Sequence, residues 1–358
     1  THMSERQNRR VVLQRRPVGE PREEDFELVS TTIADPGEGE MLLKTLWLSL
    51  DPYMRGRMSD AKSYAPPVEL GGLMVGGTVS QVLASKIPEY QAGDIVSGNH
   101  GWQEFAIGRP GDDRLTTVDP DLAPISTAVG VLGMPGFTAY FGLLRVGEPK
   151  AGETVVVSAA AGAVGSAVGQ IARILGCRAV GVAGGKAKCD HVVKELGFDA
   201  CVDYKGGSLE ADLRAACPDG IDVYFENVGG KVFDAVLPLL NRDARISLCG
   251  MIAEYGNTDG RAPGEVWMAK GQATFERQNV SAHSLFVGNF VADYQDRFLE
   301  EMAGWLLDRR IVYREDLWEG LERAPEAVGA MLSGGNFGKT LVAVAADTTG
   351  TEHPAVLR

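Results

Sequence analysis

The stretch TVVVSAAAGAVGSAVGQIARILGCRAVGVAGG, Thr154 to Gly185, constrains this chain more than any other. Glu153–Ser158 is a short β-branched run and predicts a strand. Ala163–Leu175 carries apolar residues at helical spacing, and Arg178–Ala183 is again strand-like. Between the first strand and the helix stand only three alanines and one glycine. A strand, a tight small-residue turn, a helix and a second strand make a βαβ unit. Its strands run parallel, with the helix lying on one face of the sheet. The alternation continues. Lys188–Leu196 reads as helix, and Ala200–Asp203 and Ile221–Glu226 as strands with a helix between them. Lys231–Leu240 reads as helix and Ala244–Leu248 as strand. This predicts a parallel sheet covered on both faces.

The first ~125 residues have a different texture, and a 358-residue chain suggests more than one core. MLLKTLWLSLD and GGTVSQVLASKIPEY are β-rich runs; QAGDIVSGNHGWQEFAI joins two more through Gly-Asp and Gly-Asn turn signals. After Phe290 one long helix to about Asp308 precedes a mixed tail. Thr1-His2 before Met3 reads as an expression-vector remnant.

The turn after the first parallel strand follows the pattern Ala159-x-x-Gly162-x-x-Gly165, a dinucleotide fingerprint without its first glycine. Gly162 lets a pyrophosphate approach the main chain, and Gly165 lets the helix pack closely on the strand. The helix start offers free N–H groups and a positive dipole end. The second strand discriminates between cofactors. An NAD site places an acidic residue about 20 residues downstream, on the ribose 2′-hydroxyl. Here that strand ends VAGGKAKC, with Lys186 and Lys188 and no acid. Lysines there attract a 2′-phosphate, so the expected cofactor is NADPH.

Composition removes other classes. The net charge of −13 disfavours nucleic acid and anionic membrane as partners. No apolar run approaches the ~20 residues of a membrane span. Cys177, Cys189, Cys201, Cys217 and Cys249 are spaced 12, 12, 16 and 32 apart, with no C-x-x-C. Histidines are few and scattered, so no zinc ligand set is expected. The cysteines read as buried thiols of a cytoplasmic protein.

Five motifs, in order, are SLDPYMRGRM, GFTAY, SAAAGAVGS, FENVGGKVFDAVLPLL and GNFGK. Together, from about Val11 to Val344, they resemble the zinc-independent medium-chain dehydrogenase/reductases, in the branch of the NADPH-dependent alkenal/enone double-bond reductases. The resemblance implies an α/β fold: a Rossmann nucleotide-binding domain plus a GroES-like β-barrel catalytic domain, split in sequence. The expected boundaries are 3–128 for the first part of the catalytic domain, 129–308 for the Rossmann domain and 309–346 for the return. By the same resemblance Gly162, Ala163, Val164 and Gly165 form the pyrophosphate turn. Lys188 binds the 2′-phosphate, with Tyr204 its partner. Asn227 and Asn336 contact the cofactor, Tyr255 lies beside the nicotinamide ribose, and Tyr53 belongs to the substrate pocket. Gly185 stands where several relatives carry Ser, which removes one hydroxyl donor to the phosphate. A homodimer is also implied.

Reduction of an α,β-unsaturated carbonyl needs a hydride at the β-carbon and a proton at the α-carbon. An enone is already polarised and needs no metal. The proton source is a hydroxyl of high pKa or water ordered by one. Tyr64, on the proline-tethered loop AKSYAPPVELGG, is favoured as donor to the substrate, with Tyr255 as relay. Asp51, Arg55 and Arg57 read as structural ion-pair formers. The competing readings are a quinone reductase of the same superfamily and a non-enzymatic NADPH-binding protein.

Overall fold

The computed structural model describes residues 5–61, 65–112, 114–254, 261–285, 291–350 and 355–357. The chain divides into two compact units, Thr1–Gly130 with Glu315–His353, and Val131–Arg314 with Pro354–Arg358.

The first unit is mostly β. It opens with a hairpin of β1 (Glu5–Leu13) and β2 (Phe26–Ala34). Its main sheet contains β3 (Met41–Ser49), β4 (Thr78–Ser85), β5 (Ile95–Gly98), β6 (Phe105–Gly108) and β7 (Thr116–Val118). A short helix α1 (Met54–Arg57) follows β3. The strand β3 pairs with both β4 and β6, and its register against β4 shifts twice. Each shift adds twist and curls the sheet. Because β3 is covered on both faces, its apolar residues serve separate clusters. Met41 and Leu43 meet Val82 and Val96; Leu46 meets Val79 and Ile95; Leu48 meets Val11, Phe26 and Trp102.

The second unit is a parallel sheet. Its strands are β8 (Thr154–Ser158), β9 (Arg178–Ala183), β10 (Ala200–Asp203), β11 (Ile221–Glu226), β12 (Leu240–Leu248) and β13 (Ser281–Ser284). Their order is β10-β9-β8-β11-β12-β13, all neighbours parallel. That is the doubly wound order, with its topological switch between β8 and β11. The helices are α2 (Met134–Phe141), α3 (Ala163–Ile174), α4 (Lys186–Lys194), α5 (Leu209–Ala216), α6 (Gly230–Val236), α7 (Pro263–Gln278) and α8 (Val291–Leu307). One face buries Val156, Val180, Tyr224 and Ile246 against Leu213, Phe233 and Trp267. Phe233 and Trp267 stack with ring centroids 4.5 Å apart. Close packing of α3 depends on glycine: a Cβ on Gly169 would sit 1.9 Å from the Phe198 ring.

The return to the first unit is made by β14 (Tyr313–Glu319), α9 (Ala324–Leu332) and β15 (Lys339–Ala343). The strand β15 pairs antiparallel with β3 and parallel with β14.

Candidate cofactor and active site

At the end of β8 the chain turns through Ala159, whose φ is +52°. This is the left-handed region that an L residue occupies at a cost. Gly162 is the N-cap of α3 and offers no side chain to cap it. The Gly162 amide bonds back to Ala159 O at 3.1 Å, and the next amide bonded back is that of Ser166, to Gly162 O at 3.0 Å. The amides of Ala163, Val164 and Gly165 thus precede the intrahelical ladder, as the first turn of a helix requires. A Cβ on Gly165 would lie 2.2 Å from Ala159 O and 3.0 Å from Ala160 Cα. Glycine at 165 is therefore a steric requirement of the turn.

The ends of β9 and β10 hold the second group of residues. A Cβ on Gly184 would meet the Tyr204 hydroxyl at 2.8 Å, so Tyr204 lies directly against the loop that starts α4. Lys188 stands half-buried in the first turn of α4. Lys186 is exposed and ion-paired with Asp190 at 2.5 Å. Two lysines absent from the sequence-based expectation join the cluster: the ammonium groups of Lys231 and Lys205 lie 5.4 and 5.8 Å from the Tyr204 ring centroid. An acid also enters from the neighbouring strand. Asp203 Oδ1 accepts from the amides of Gly185 at 2.8 Å and Lys205 at 2.9 Å. Gly185 has φ +100° and ψ 154°, a conformation nearly confined to glycine. A Cβ at 185 would meet no atom within 4 Å, so a side chain there is opposed by backbone strain and not by lack of room.

The third group sits at the switch between β8 and β11. Asn227 donates its amide N–H to Ser158 Oγ at 2.8 Å and its side-chain Nδ2 to Ser158 O at 2.8 Å. Behind it lies Glu226, fully buried. Its Oε1 accepts from Trp267 Nε1 at 2.8 Å; its Oε2 accepts from Ser158 Oγ at 3.1 Å and from the Tyr224 hydroxyl. Burial pushes the carboxyl above its ordinary range, and the surrounding donors pull it back. Sequence reading assigned Glu226 only as the end of a strand. The signal that pointed to more was an acid closing an apolar run.

In the first unit Tyr53 precedes α1 and is 40% exposed. Asn336 donates Nδ2 to Gly338 O at 3.0 Å, which shapes the GNFGK turn. That turn and the DPYM segment meet through Lys339, whose buried ammonium donates to Asp51 Oδ1 at 2.5 Å and Leu50 O at 3.0 Å. Asp51 is thus an ion-pair former. Arg55 and Arg57 act differently from the expectation. Arg55 donates to the carbonyls of Gly19 and Pro17, at 3.0 and 3.2 Å. Arg57 donates to Pro66 O at 2.7 Å, and its own carbonyl accepts from Val68 N at 2.7 Å. Arg16 spans the same place, donating to Met58 O and Val68 O. The Arg57 and Arg16 guanidinium groups tie together the two ends of the segment Met58–Val68, in which Tyr64 lies. Tyr64 and Tyr255 themselves lie outside the described residues.

Two family models match the chain. Residues 9–117 match the N-terminal domain of oxidoreductase, and residues 163–303 match a model described as zinc-binding dehydrogenase. The NADPH-dependent curcumin reductase of Escherichia coli is 51% identical over 340 residues, covering 95% of this chain and 98% of the relative. The chain belongs to the medium-chain dehydrogenase/reductase family. Within the family it falls in the enone and alkenal reductase branch. The NADP(+)-dependent 2-alkenal reductase of Nicotiana tabacum is 40% identical, over 94% of this chain and 97% of that protein. A crystal structure of CurA from Vibrio vulnificus in complex with NADPH matches with a TM-score of 0.89 at 48% identity, covering 95% of this chain and all of that one.

The residues of this medium-chain reductase fit a dinucleotide on structural grounds. The α3 N-cap is a glycine, the Gly165 contact leaves no room for a side chain, and the Tyr204 ring, with two lysines nearby, faces the α4 loop. Among the described residues no group of three or more His, Cys, Asp or Glu is placed to hold a metal ion. Among them, too, no helix is long and apolar enough to cross a membrane.

Proposed function

We propose that this NADPH-dependent oxidoreductase reduces the C=C bond of α,β-unsaturated aldehydes and ketones. The observation that carries the reading is near-full-length similarity to two reductases whose named substrates, curcumin and 2-alkenals, share that conjugated carbonyl. When bound, NADPH supplies a hydride for the β-carbon. The first turn of α3, with Gly162, Ala163, Val164 and Gly165, binds the pyrophosphate. Lys188 and Tyr204 hold the 2′-phosphate end. Asn227 and Asn336 orient the cofactor, and Asn227 is itself fixed by Ser158. Tyr53 lines the substrate pocket. Tyr64 donates to the carbonyl oxygen, where negative charge develops, or supplies the proton to the α-carbon. Tyr255 sits beside the nicotinamide ribose and relays that proton. The protein works as a homodimer in the cytoplasm.

The test is NADPH consumption against a panel of enals, enones, quinones and saturated alcohols, with product analysis. The expected product is the saturated carbonyl compound. Turnover of quinones alone would establish the quinone-reductase reading, and no turnover of any would reduce the protein to a binder.

A further inference from the structure

Two cysteines 12 residues apart in sequence meet at the edge of the parallel sheet. Cys189 lies in the first turns of α4 and Cys201 is the second residue of β10. Their sulfurs are 3.2 Å apart, with the Cys201 thiol donating to Cys189 Sγ. A disulfide needs about 2.05 Å, so closing this pair takes roughly 1.2 Å of approach. The strand β10 is the outermost of its sheet, and Cys201 is partly exposed there, which puts the pair at the sheet edge next to solvent. Cys189 is buried beneath it.

The electrostatics single out the same pair. The Cys201 S–H holds the Cys189 thiol below its ordinary range, while Cys201 itself is pushed up. A position near a helix N-terminus favours the thiolate further. Burial raises Cys177 and Cys217 to about 11 and Cys249 to about 12, which leaves those three as inert thiols. Cys189 directly follows Lys188, and the turn before them passes through Gly185 with φ +100°.

We propose that Cys189 and Cys201 form a modification site, a dithiol that a hydroperoxide closes to a disulfide, displacing Lys188 and weakening NADPH binding. The Cys189 thiolate attacks one peroxide oxygen, the O–O bond breaks, and the other oxygen leaves as water or alcohol after taking a proton. Cys189 is then a sulfenic acid. The Cys201 sulfur displaces its hydroxyl, which leaves as water with the Cys201 proton, and the S–S bond forms. Two thiols lose two electrons and two protons; hydrogen peroxide becomes two waters. A thiol reductant reverses the change. The consequence for NADPH rests on Lys188 as the 2′-phosphate ligand; the disulfide itself does not.

The experiment treats the full chain with hydrogen peroxide, blocks remaining thiols by alkylation, and maps peptides by mass spectrometry. Reduced, oxidised and re-reduced samples are titrated with NADPH and with NADH. The expected result is a peptide pair joined through Cys189 and Cys201. NADPH affinity falls about tenfold or more, the lower end of what a charge-assisted bond contributes. NADH affinity stays nearly constant, and re-reduction restores NADPH binding. Cys201→Ser and Cys189→Ser remove the response, and the wild-type redox cycle carries the test if either folds poorly. Absence of the joined peptides overturns the site. A disulfide that leaves NADPH unaffected, or weakens both dinucleotides equally, overturns its regulatory consequence. Lys188→Ala separates the two readings: if that variant keeps its NADPH preference, the cofactor assignment fails while the disulfide stands.

Discussion

Replacing Glu226 with glutamine exchanges one buried oxygen for an NH2 group inside a ring of donors. Oε1 faces the Trp267 indole N–H at 2.8 Å, and Oε2 faces Ser158, Tyr224 and the amide of Val228, the last at 3.3 Å. An amide nitrogen at the Oε1 position sets two N–H groups against each other. At the Oε2 position the Tyr224 and Ser158 hydroxyls can rotate to accept, but the Val228 N–H cannot. The glutamine therefore takes the second orientation and forfeits one charge-assisted bond, about 1.5–3 kcal/mol near neutral pH. Glu226→Ala is harsher. It leaves the Trp267 N–H and Tyr224 O–H buried without this acceptor, at about 1–3 kcal/mol each. The sum, about 2–6 kcal/mol, rivals the whole stability of a domain, about 5–15 kcal/mol. Thermal unfolding should show Glu226→Gln lowered by about 3–12 °C, at ~2–4 °C per kcal/mol. NADPH titration should show a several-fold loss, because Ser158 holds Asn227 through both its hydroxyl and its carbonyl. A glutamine variant that melts with wild type and binds NADPH equally would refute the argument, since the donors would then be satisfied without a carboxylate.

Other expected outcomes follow from single contacts. Gly165→Ala drives a Cβ into Ala159 O, 2.2 Å away, so the turn must move; overpacking of this kind costs about 1–3 kcal/mol, and thermal scans with NADPH titration should show both stability and affinity lost. Lys188→Ala should weaken NADPH by about 10- to 150-fold and spare NADH, less so at high salt, in a fluorescence titration. Lys186→Ala should do less, because Lys186 is already paired with Asp190. Tyr64→Phe should lower kcat for enone reduction by up to ~10²–10⁴-fold with little change in NADPH affinity, if Tyr64 is the acid; an unchanged kcat, with chemistry rate-limiting, passes the role to Tyr255. His100 is buried between Thr78 and Asp112, and burial pushes its pKa below the usual ~6.5. The unfolded chain therefore takes up a proton first as pH falls. The contribution of His100 is complete above pH ~6.5 and is lost on going below it. Urea titrations across that range should show His100→Gln flattening the slope.

Much of the second unit was legible in the residues because its signals are local. The expected strands Arg178–Ala183, Ala200–Asp203 and Ile221–Glu226 coincide with β9, β10 and β11. Runs this apolar, punctuated by turn residues, have one burial solution in a parallel sheet. The helix α4 begins two residues before the expected Lys188, because Gly185 sets its N-cap through a backbone conformation that residue type alone does not announce. The helices α2 and α7 were not anticipated. The first is buried almost all round, so it has no polar face to reveal a period. The second buries only Trp267, Gly271 and Phe275, one residue per turn. What the tertiary structure alone decided is which distant groups share a site. Lys339 reaches Asp51 across 288 residues, Glu226 joins Trp267 across 41, Asp203 crosses to Gly185, and Cys201 meets Cys189. Periodicity tells a side chain which face to occupy. It carries no information on which partner waits there, because strand order and register, not sequence neighbours, bring those atoms within bonding distance.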